Sequence, residues 1–434
     1  MSSNEPEGKC RSGCLHVLFC WLLSILRRLH LVSKQYYRKH CSCQLELAAI
    51  SFNHDTSALT ADAMNMRRNF ATTVAIPEWT VGKTVAADCP AGYAIKETKG
   101  HKITIKAKFT ISPVGATKAE IKADGGGVLG SLDLQVVTFA NGVSVPEFVS
   151  FELNHHSIGD DGIKLQDITW NRKYRCCGGS KWEQLQSTNH RIYIVLEEPT
   201  LPWKQQPFPD TQGPWTEALD YACFWASGKK NRDDAASAIT QQINANLGLV
   251  YDNASGASHY TSGGLALFEL TQFLAYLKNG TGLGNIVNCT DCATITTTFA
   301  NLVGCDLHAS KMGTYFDLTP FRGIGAAGFA CPGFGCGFSF HEVAWKGGHG
   351  NGDPLFDACL RVDGDTNPWA APYTELFPVN IIFSTQPGAA LPLAVPFNAQ
   401  SYEERLCTND AGGIGSCNPI GPWPSSSNGR RPVK

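Results

Sequence analysis

A cysteine at the predicted start of a helix is the first feature of this sequence with chemical potential. Residues 288–293 read Asn-Cys-Thr-Asp-Cys-Ala, and the segment after them runs to Gly304, a typical helix stop. A thiolate in a first helical turn is stabilised by unpaired backbone N–H groups and by the helix dipole. The same N–H groups can face a developing oxyanion, and we expect the N–H of Cys289 to do so. The sequence therefore predicts that Cys289 is a nucleophile.

A thiolate nucleophile needs a base, and the base needs a partner that orients it. His341 is the strong candidate downstream, because it lies in residues 338–345, whose alternation is typical of a strand. Asp357 follows in the apolar segment 355–360. If the two segments are adjacent antiparallel strands joined by the Gly-rich loop 347–354, the histidine and the aspartate lie side by side. The predicted relay is Cys–His–Asp, with the histidine as base and then acid, and the aspartate fixing the imidazole tautomer.

Neighbouring residues compete for the same roles. Cys289 can instead be a buried structural cysteine, and Cys292, one turn further on, is an alternative nucleophile for which a core role is favoured. Asp363 and Asp365 are alternative partners for the histidine, but their Asp-Gly-Asp context is typical of a solvated turn. We expect Asp291 to support the N-terminus of the helix rather than to take part in chemistry.

Four cysteines allow a different interpretation of this region. Cys289, Cys292, Cys331 and Cys336 could supply four thiolates to a structural zinc, and the last two could instead form a disulfide. The spacing of Cys331 and Cys336 is unusual for a zinc site, and Cys289 and Cys292 lie at the start of a helix. A metal site is therefore disfavoured. We expect no metal and no cofactor.

The elements that position these residues belong to the second half of the chain. Residues 215–399 show helical spacing followed by strand-like segments, an order that describes an α+β domain. Residues 44–199 instead contain many short segments with the period-two alternation of half-buried strands, which predicts an all-β sandwich domain. The proline-rich residues 200–214 between them predict an extended linker. The predicted helices are 215–227, 233–247, 264–278 and 289–303, and the later strands are 338–345 and 355–362.

Two terminal segments are expected to lie outside these domains. Residues 1–43 are predicted to be a disordered or anchor-like extension, whose apolar run 15–26 is shorter than the roughly 20 residues of a membrane span. Residues 400–434 are rich in Gly, Pro, Ser and Asn and are predicted to be a flexible tail. Localisation stays undecided: the cytoplasm is slightly favoured, and membrane-anchored and secreted forms remain open.

The bulk composition narrows the class of partner. The chain has 434 residues, a formal net charge of −2 and 17 cysteines. A near-neutral chain without basic runs lacks the electrostatic footprint of a nucleic-acid binder, so no nucleic-acid partner is expected. We expect a protein or peptide substrate, and membrane contact only through residues 15–26. The oligomeric state is not determined by the sequence, and an odd number of cysteines leaves the redox state open.

The candidate residues resemble the transglutaminase-core superfamily of papain-like cysteine proteins over about residues 215–365. The family opens its nucleophile helix with a pattern like Cys-x-Asp-x-Ala, reaches a Gly about ten residues later, and continues with a His- and Trp-containing strand and an Asp on the next strand. Asn288 stands where the family usually has Gly. The matching residues are Cys289, Asp291, Ala293, Gly304, His341, Trp345 and Asp357.

The resemblance implies a papain-like domain preceded by the β-sandwich, and thiol attack on an amide carbonyl to give an acyl-enzyme. The acyl group would pass to water, as in a peptidase or amidase, or to an amine, as in a transglutaminase-type acyltransferase. It implies Cys289, His341 and Asp357 as the catalytic triad. The same fold also serves as a catalytically inactive scaffold or binding module, which is the alternative from a different functional class.

Overall fold

The structure is a computed structural model of the 434-residue chain. Most of the extension 1–43, the middle of the linker 200–214 and much of the chain between residues 365 and 428 lie outside the described residues. No helix among the described residues is long and apolar enough to cross a membrane. The described residues are 25–28, 43–54, 62–154, 156–176, 179, 181–203, 213–347, 353–364, 369–374, 402, 405–408, 416–422 and 429–434.

Helices and strands are both present in the described part of the chain. The α-helices are α1 (Ile95–Thr98), α2 (Thr216–Trp225), α3 (Arg232–Asn246), α4 (Leu270–Asn279) and α5 (Cys289–Leu302). The first eleven strands are β1 (Gln44–Ser51), β2 (Trp79–Thr80), β3 (Pro90–Ala94), β4 (Thr104–Ser112), β5 (Lys118–Gly125), β6 (Leu132–Ala140), β7 (Val143–Val145), β8 (Val149–Glu152), β9 (Lys164–Cys176), β10 (Glu183–Gln184) and β11 (Thr188–Val195). The others are β12 (Val250–Tyr251), β13 (Thr261–Ser262), β14 (Leu267–Phe268), β15 (Ile286–Val287), β16 (His308–Thr314), β17 (Phe316–Asp317), β18 (Arg322–Gly323), β19 (Gly337–Phe338), β20 (His341–Trp345), β21 (Leu355–Phe356), β22 (Leu360–Arg361) and β23 (Ser416–Pro422).

Strands β1–β11 form one hydrogen-bonded sheet with the path β2-β1-β4-β7-β6-β5-β9-β11-β3, to which β8 and β10 are added. The strands thus form one continuous sheet, and its division into the two layers of the expected sandwich stays a prediction. The alternation itself is present: every second residue of β4 is buried, as period two requires. The sheet stays continuous because β4 pairs with β1 along one edge and with both β7 and β8 along the other. Alternation is the same in one curved sheet and in two stacked ones, so the sequence pattern cannot distinguish them.

Strand β11 joins the two hydrophobic cores of the molecule. Ile192 and Ile194 belong to the core of the large sheet, whereas Tyr193 and Val195 belong to the core that contains the helices. Successive side chains of a strand point to opposite faces, so a strand covered on both sides supplies both cores. The two halves of the chain are therefore packed against each other through β11.

Helix α5 lies at the centre of the second core. All its residues are buried, and it packs against β20, α3 and α2. Its threonines and isoleucine are weak helix formers, so packing and capping rather than propensity must stabilise it. Beside it runs a four-stranded sheet of order β21-β20-β16-β23.

The C-terminal segment belongs to this second core. Strand β23 pairs with β16, and Phe268 pairs with Val433 in an isolated bridge. Arg431 is fully buried and forms an ion pair with Glu342 at 2.6 Å. The expectation of a flexible tail over 400–434 therefore fails for these described parts of it, since polar and glycine-rich composition does not reveal a segment that is held by a few specific partners.

Candidate active site

The N-terminus of α5 is built around a capping box. The side-chain oxygen of Asn288 accepts a hydrogen bond from the N–H of Asp291 at 3.0 Å, and the Asp291 carboxylate accepts one from the N–H of Asn288 at 3.2 Å. Asn288 thus caps the helix at the position where the resemblance would lead one to expect Gly. Cys289 is the first residue inside the helix and is 6% exposed. Its N–H belongs to the first turn, which has no acceptor within the helix.

Asp291 also ties a neighbouring loop to the start of this helix. Its carboxylate accepts hydrogen bonds from the backbone N–H groups of residues 259, 260 and 261 at 2.8–3.0 Å, and from the Ser258 hydroxyl at 2.8 Å. Burial raises the pKa of Asp291, and these hydrogen bonds oppose the rise. The contacts match the supporting role expected for this residue.

The structure brings His341 and Asp357 together as the hairpin argument anticipates. Strands β20 and β21 pair antiparallel, with Ala344 opposite Phe356. Nε2 of His341 lies 2.8 Å from Oδ2 of Asp357, and both side chains are at most 1% exposed. The other carboxylate oxygen accepts a hydrogen bond from the N–H of Cys359 at 2.7 Å, which fixes the orientation of Asp357.

The helix that begins with Cys289 packs against the strand that carries this imidazole. Nδ1 of His341 is buried and has no hydrogen-bond partner of ordinary geometry among the described residues, while Nε2 faces Asp357. Burial by itself lowers the pKa of His341, but the charge and hydrogen bond of Asp357, followed by the hydrogen bond and charge of Cys289, raise it to about 10. A pKa this far above neutrality favours an imidazolium, which can stabilise a neighbouring thiolate.

Tyr402 completes the surroundings of the histidine and was not anticipated from the sequence. Its hydroxyl donates a hydrogen bond to Oδ2 of Asp357 and lies 3.3 Å from Nε2 of His341. Its ring stacks with the imidazole at a centroid distance of 6.1 Å, and the Phe338 ring does so at 5.9 Å. No motif or spacing links Tyr402 to the other residues, since it lies 45 positions after Asp357 in a segment expected to be flexible.

Tyr251 is a second residue that the sequence pattern did not indicate. Strand β12 runs parallel to β15, which leads directly into α5, so Tyr251 pairs with Val287 two residues before Cys289. Burial raises the pKa of the Tyr251 phenol, and the negative charge of a Cys289 thiolate raises it further. The phenol is therefore close enough for a charge on the sulfur to change its pKa.

The alternative nucleophile and the alternative partners of the histidine are less well placed than Cys289 and Asp357. Cys292 is fully buried, burial raises the pKa of its thiol, and that thiol hydrogen-bonds with Cys359. Asp363 is fully buried rather than in the solvated turn that its context predicted, and the acid at Nε2 of His341 is Asp357. Asp365 lies outside the described residues.

The four-cysteine zinc set is not assembled. Cys331 and Cys336 form a disulfide, whereas Cys289 and Cys292 are free thiols. Within the described ranges, no group of three or more His, Cys, Asp or Glu side chains is arranged to hold a metal ion. A second disulfide joins Cys43 to Cys176.

Comparisons with known proteins add little to this geometry. No family model matches the chain, and no curated protein matches it. Among solved structures, red sea bream transglutaminase is similar over 59% of this chain and 48% of its own, with 10% sequence identity and a TM-score of 0.30. The chain thus spans about half the length of that enzyme, and a similarity this distant carries no argument about activity.

Proposed function

We propose that this protein is a cysteine-dependent acyl-transfer enzyme that acts on amide bonds, of the peptidase, amidase or transglutaminase type. One observation carries the proposal: the histidine of the buried His341–Asp357 pair, joined at 2.8 Å, lies on strand β20, which packs against the helix α5 that begins with Cys289. A thiol in the first helical turn, next to an oriented and protonated imidazole, is the arrangement that activates a sulfur nucleophile.

The proposed reaction uses only side chains of the site. The Cys289 thiolate attacks the amide carbonyl carbon, and the resulting oxyanion is stabilised by the N–H of Cys289. The His341 imidazolium gives a proton to the leaving nitrogen as the carbon–nitrogen bond breaks, which yields an amine and a thioester. Neutral His341 then takes a proton from water or from an incoming amine, which attacks the thioester and releases Cys289 as the thiolate.

Two further residues hold this arrangement. Asp357 fixes the imidazole tautomer, because its carboxylate accepts the Nε2–H and leaves Nδ1 for the thiol. Tyr402 donates to that carboxylate and packs against the ring, so it restrains both members of the pair. We place the catalytic domain at residues 215–399 together with the C-terminal segment that supplies Tyr402.

An inactive transglutaminase-like scaffold is the second candidate, and the burial of the site favours it. His341 is 0% exposed and Cys289 is only 6% exposed, so a substrate carbonyl has a narrow approach to the sulfur. The two candidates differ in the reactivity of one thiol, which can be measured without knowing the substrate.

The test is alkylation of the folded protein by a limiting amount of iodoacetamide between pH 5 and pH 9, mapped by mass spectrometry. We expect Cys289 to be modified at pH 6 at least tenfold faster than Cys305, a buried free thiol whose pKa is raised by burial. The fast modification should be lost in His341→Ala and retained in His101→Ala, a control at an exposed histidine. Equal rates at the two cysteines in the wild type would refute the enzyme and favour the scaffold.

A further inference from the structure

A cavity without charged lining lies next to the candidate active site. It has a volume of about 160 Å³, and Tyr251 and Phe321 lie at its base with their rings edge to face at 5.8 Å. The described residues that line it include no acid and no base. Much of its exposed rim consists of small residues, among them Ala326, Gly328 and Ala330.

The backbone connects this cavity to the nucleophile. The N–H of Tyr251 donates to the carbonyl of Ile324 at 2.9 Å, so β12 lies between the cavity wall and β15. Neighbouring extended chains are about 4.8 Å apart, which places the wall roughly 10 Å from the segment that runs into Cys289. An extended peptide rises about 3.3 Å per residue. A side chain two or three residues from the reacting carbonyl can therefore reach the cavity.

The size and the lining define the chemistry of the occupant. A cavity of about 150 Å³ lined by apolar side chains holds one benzene molecule, so this cavity matches a phenyl ring or a branched aliphatic side chain. A lysine or glutamate side chain would leave its charge there without a partner and lose hydration. Tyr251 would separate the cavity from the strand that leads to Cys289. Its pKa is raised by burial and by the charge of Cys289.

We propose that this cavity is the specificity subsite of the enzyme and binds an aromatic or branched aliphatic side chain of the acyl donor, two or three residues from the reacting carbonyl. The acyl group of the donor is bound to Cys289 from the first half-reaction until the second releases it, so a subsite for its side chain acts in both. The inference rests on the proposed function and adds a substrate class to it: peptides with an apolar residue near the site of attack.

The experiment compares peptidyl chloromethyl ketones as irreversible probes of Cys289. Acetyl-Phe-Gly and acetyl-Phe-Gly-Gly chloromethyl ketones place the ring at the second and third residue, and the corresponding probes with Gly, Lys or Glu instead of Phe are the comparison. We expect the better Phe probe to alkylate Cys289 about ten- to a hundredfold faster than its Gly counterpart, as burial of one apolar side chain allows. The Lys and Glu probes should gain nothing over Gly.

Gly328 lines the cavity, and a side chain can be added there without straining the backbone. A Cβ at Gly328 meets no atom within 4 Å, and its φ is not in the left-handed region. Gly328→Phe should therefore reduce the ratio of the Phe-probe rate to the Gly-probe rate, with the Gly probe as the internal reference in the same variant. The matched control is Gly115→Phe, in the turn between β4 and β5, where a Cβ also meets no atom within 4 Å. The control should behave as the wild type.

The outcomes separate the inference from the function it rests on. If iodoacetamide does not label Cys289 selectively, the proposed function fails and the subsite falls with it. If iodoacetamide labels Cys289 but the Phe, Gly and Lys probes react equally fast, the enzyme proposal stands and the subsite is refuted. A preference that survives Gly328→Phe would also refute this location.

Discussion

Replacing Asp357 by Asn removes the charge that keeps the His341 imidazole protonated, while the side chain keeps almost the same shape. In the folded protein, burial is the largest single influence on His341 and it lowers the pKa. The charge and hydrogen bond of Asp357 are the next largest and raise it, so that the pKa reaches about 10 instead of the ordinary 6.5. Without that charge burial should dominate, and we expect the pKa of His341 to fall below 6.5.

The size of the effect follows from these values. A change from about 10 to below 6.5 exceeds about three pKa units, or roughly 5 kcal/mol between the two protonation states. At pH 8 nearly all wild-type molecules carry an imidazolium at His341, whereas at most about 3% of the variant molecules should. The imidazolium population at His341 should therefore fall at least about 30-fold.

Two measurements report this change independently. The first is the chemical shift of the His341 ring in protein labelled with ¹³C-histidine, titrated from pH 5 to pH 11 and assigned with His341→Ala. The second is the iodoacetamide rate at Cys289, which should drop about 30-fold at pH 8 in Asp357→Asn. The difference between the variant and the wild type should shrink toward pH 10, where the wild-type imidazolium also loses its proton.

The matched control is Asp363→Asn, because Asp363 is an equally buried aspartate six residues further on. The His341 titration should stay at its wild-type midpoint in that variant. A midpoint above 8 in Asp357→Asn would refute the reasoning, since it would show that the carboxylate does not set the protonation of the imidazole. If only Asp363→Asn shifts the His341 titration, the partner of the histidine is Asp363 and not Asp357.

Three other substitutions test the supporting contacts. Tyr402→Phe removes a hydroxyl that donates a hydrogen bond to the Asp357 carboxylate and so shares its charge. The pKa of His341 should rise in the ring titration, and urea unfolding should show a loss of about 1.5–3 kcal/mol for a hydrogen bond to a charged group. Burial raises the pKa of Glu78 to about 7, so this carboxyl binds its proton more tightly in the folded state. Its contribution to stability is complete below pH 4.5 and is lost as the pH rises through 7. The unfolding free energy should fall by about 2.5 kcal/mol from pH 5 to pH 8, and Glu78→Gln should remove that part of the pH dependence. Arg431→Met leaves the fully buried Glu342 without its cation, and urea unfolding should show a loss of about 3–5 kcal/mol.

Each of these outcomes has a clear contrary result. A fall in the histidine pKa on loss of the Tyr402 hydroxyl would contradict the charge-sharing argument. An unchanged pH slope in Glu78→Gln would place the titration elsewhere in the protein. A loss below about 1 kcal/mol in Arg431→Met would show that the C-terminal segment is not part of the cooperative fold, since exposed ion pairs have that value.

Local signals in the sequence led to the elements that carry the candidate site. Cys289 was expected to begin a helix, and α5 begins there because Asn288 and Asp291 form a capping box within four residues. His341 was expected in a strand next to the segment of Asp357, and β20 and β21 pair in that way. The burial of every second residue in β4 could also be predicted, because it follows from the alternation of apolar and polar residues along the strand.

The remaining features depend on contacts between residues that are distant in the chain. Tyr402 reaches Asp357, and Arg431 reaches Glu342, from a segment whose composition resembles a flexible tail. The strands of the first half continue as one sheet because β4 has different partners at its two ends, which alternation does not encode. The cavity beside Tyr251 arises where residues about 70 positions further on pass over β12. Periodicity and capping describe what each segment does with its own neighbours, so the sequence by itself determined the helix start and the strands that present the three candidate residues. Only the tertiary structure decided which distant side chains orient them, cover them and shape the space beside them.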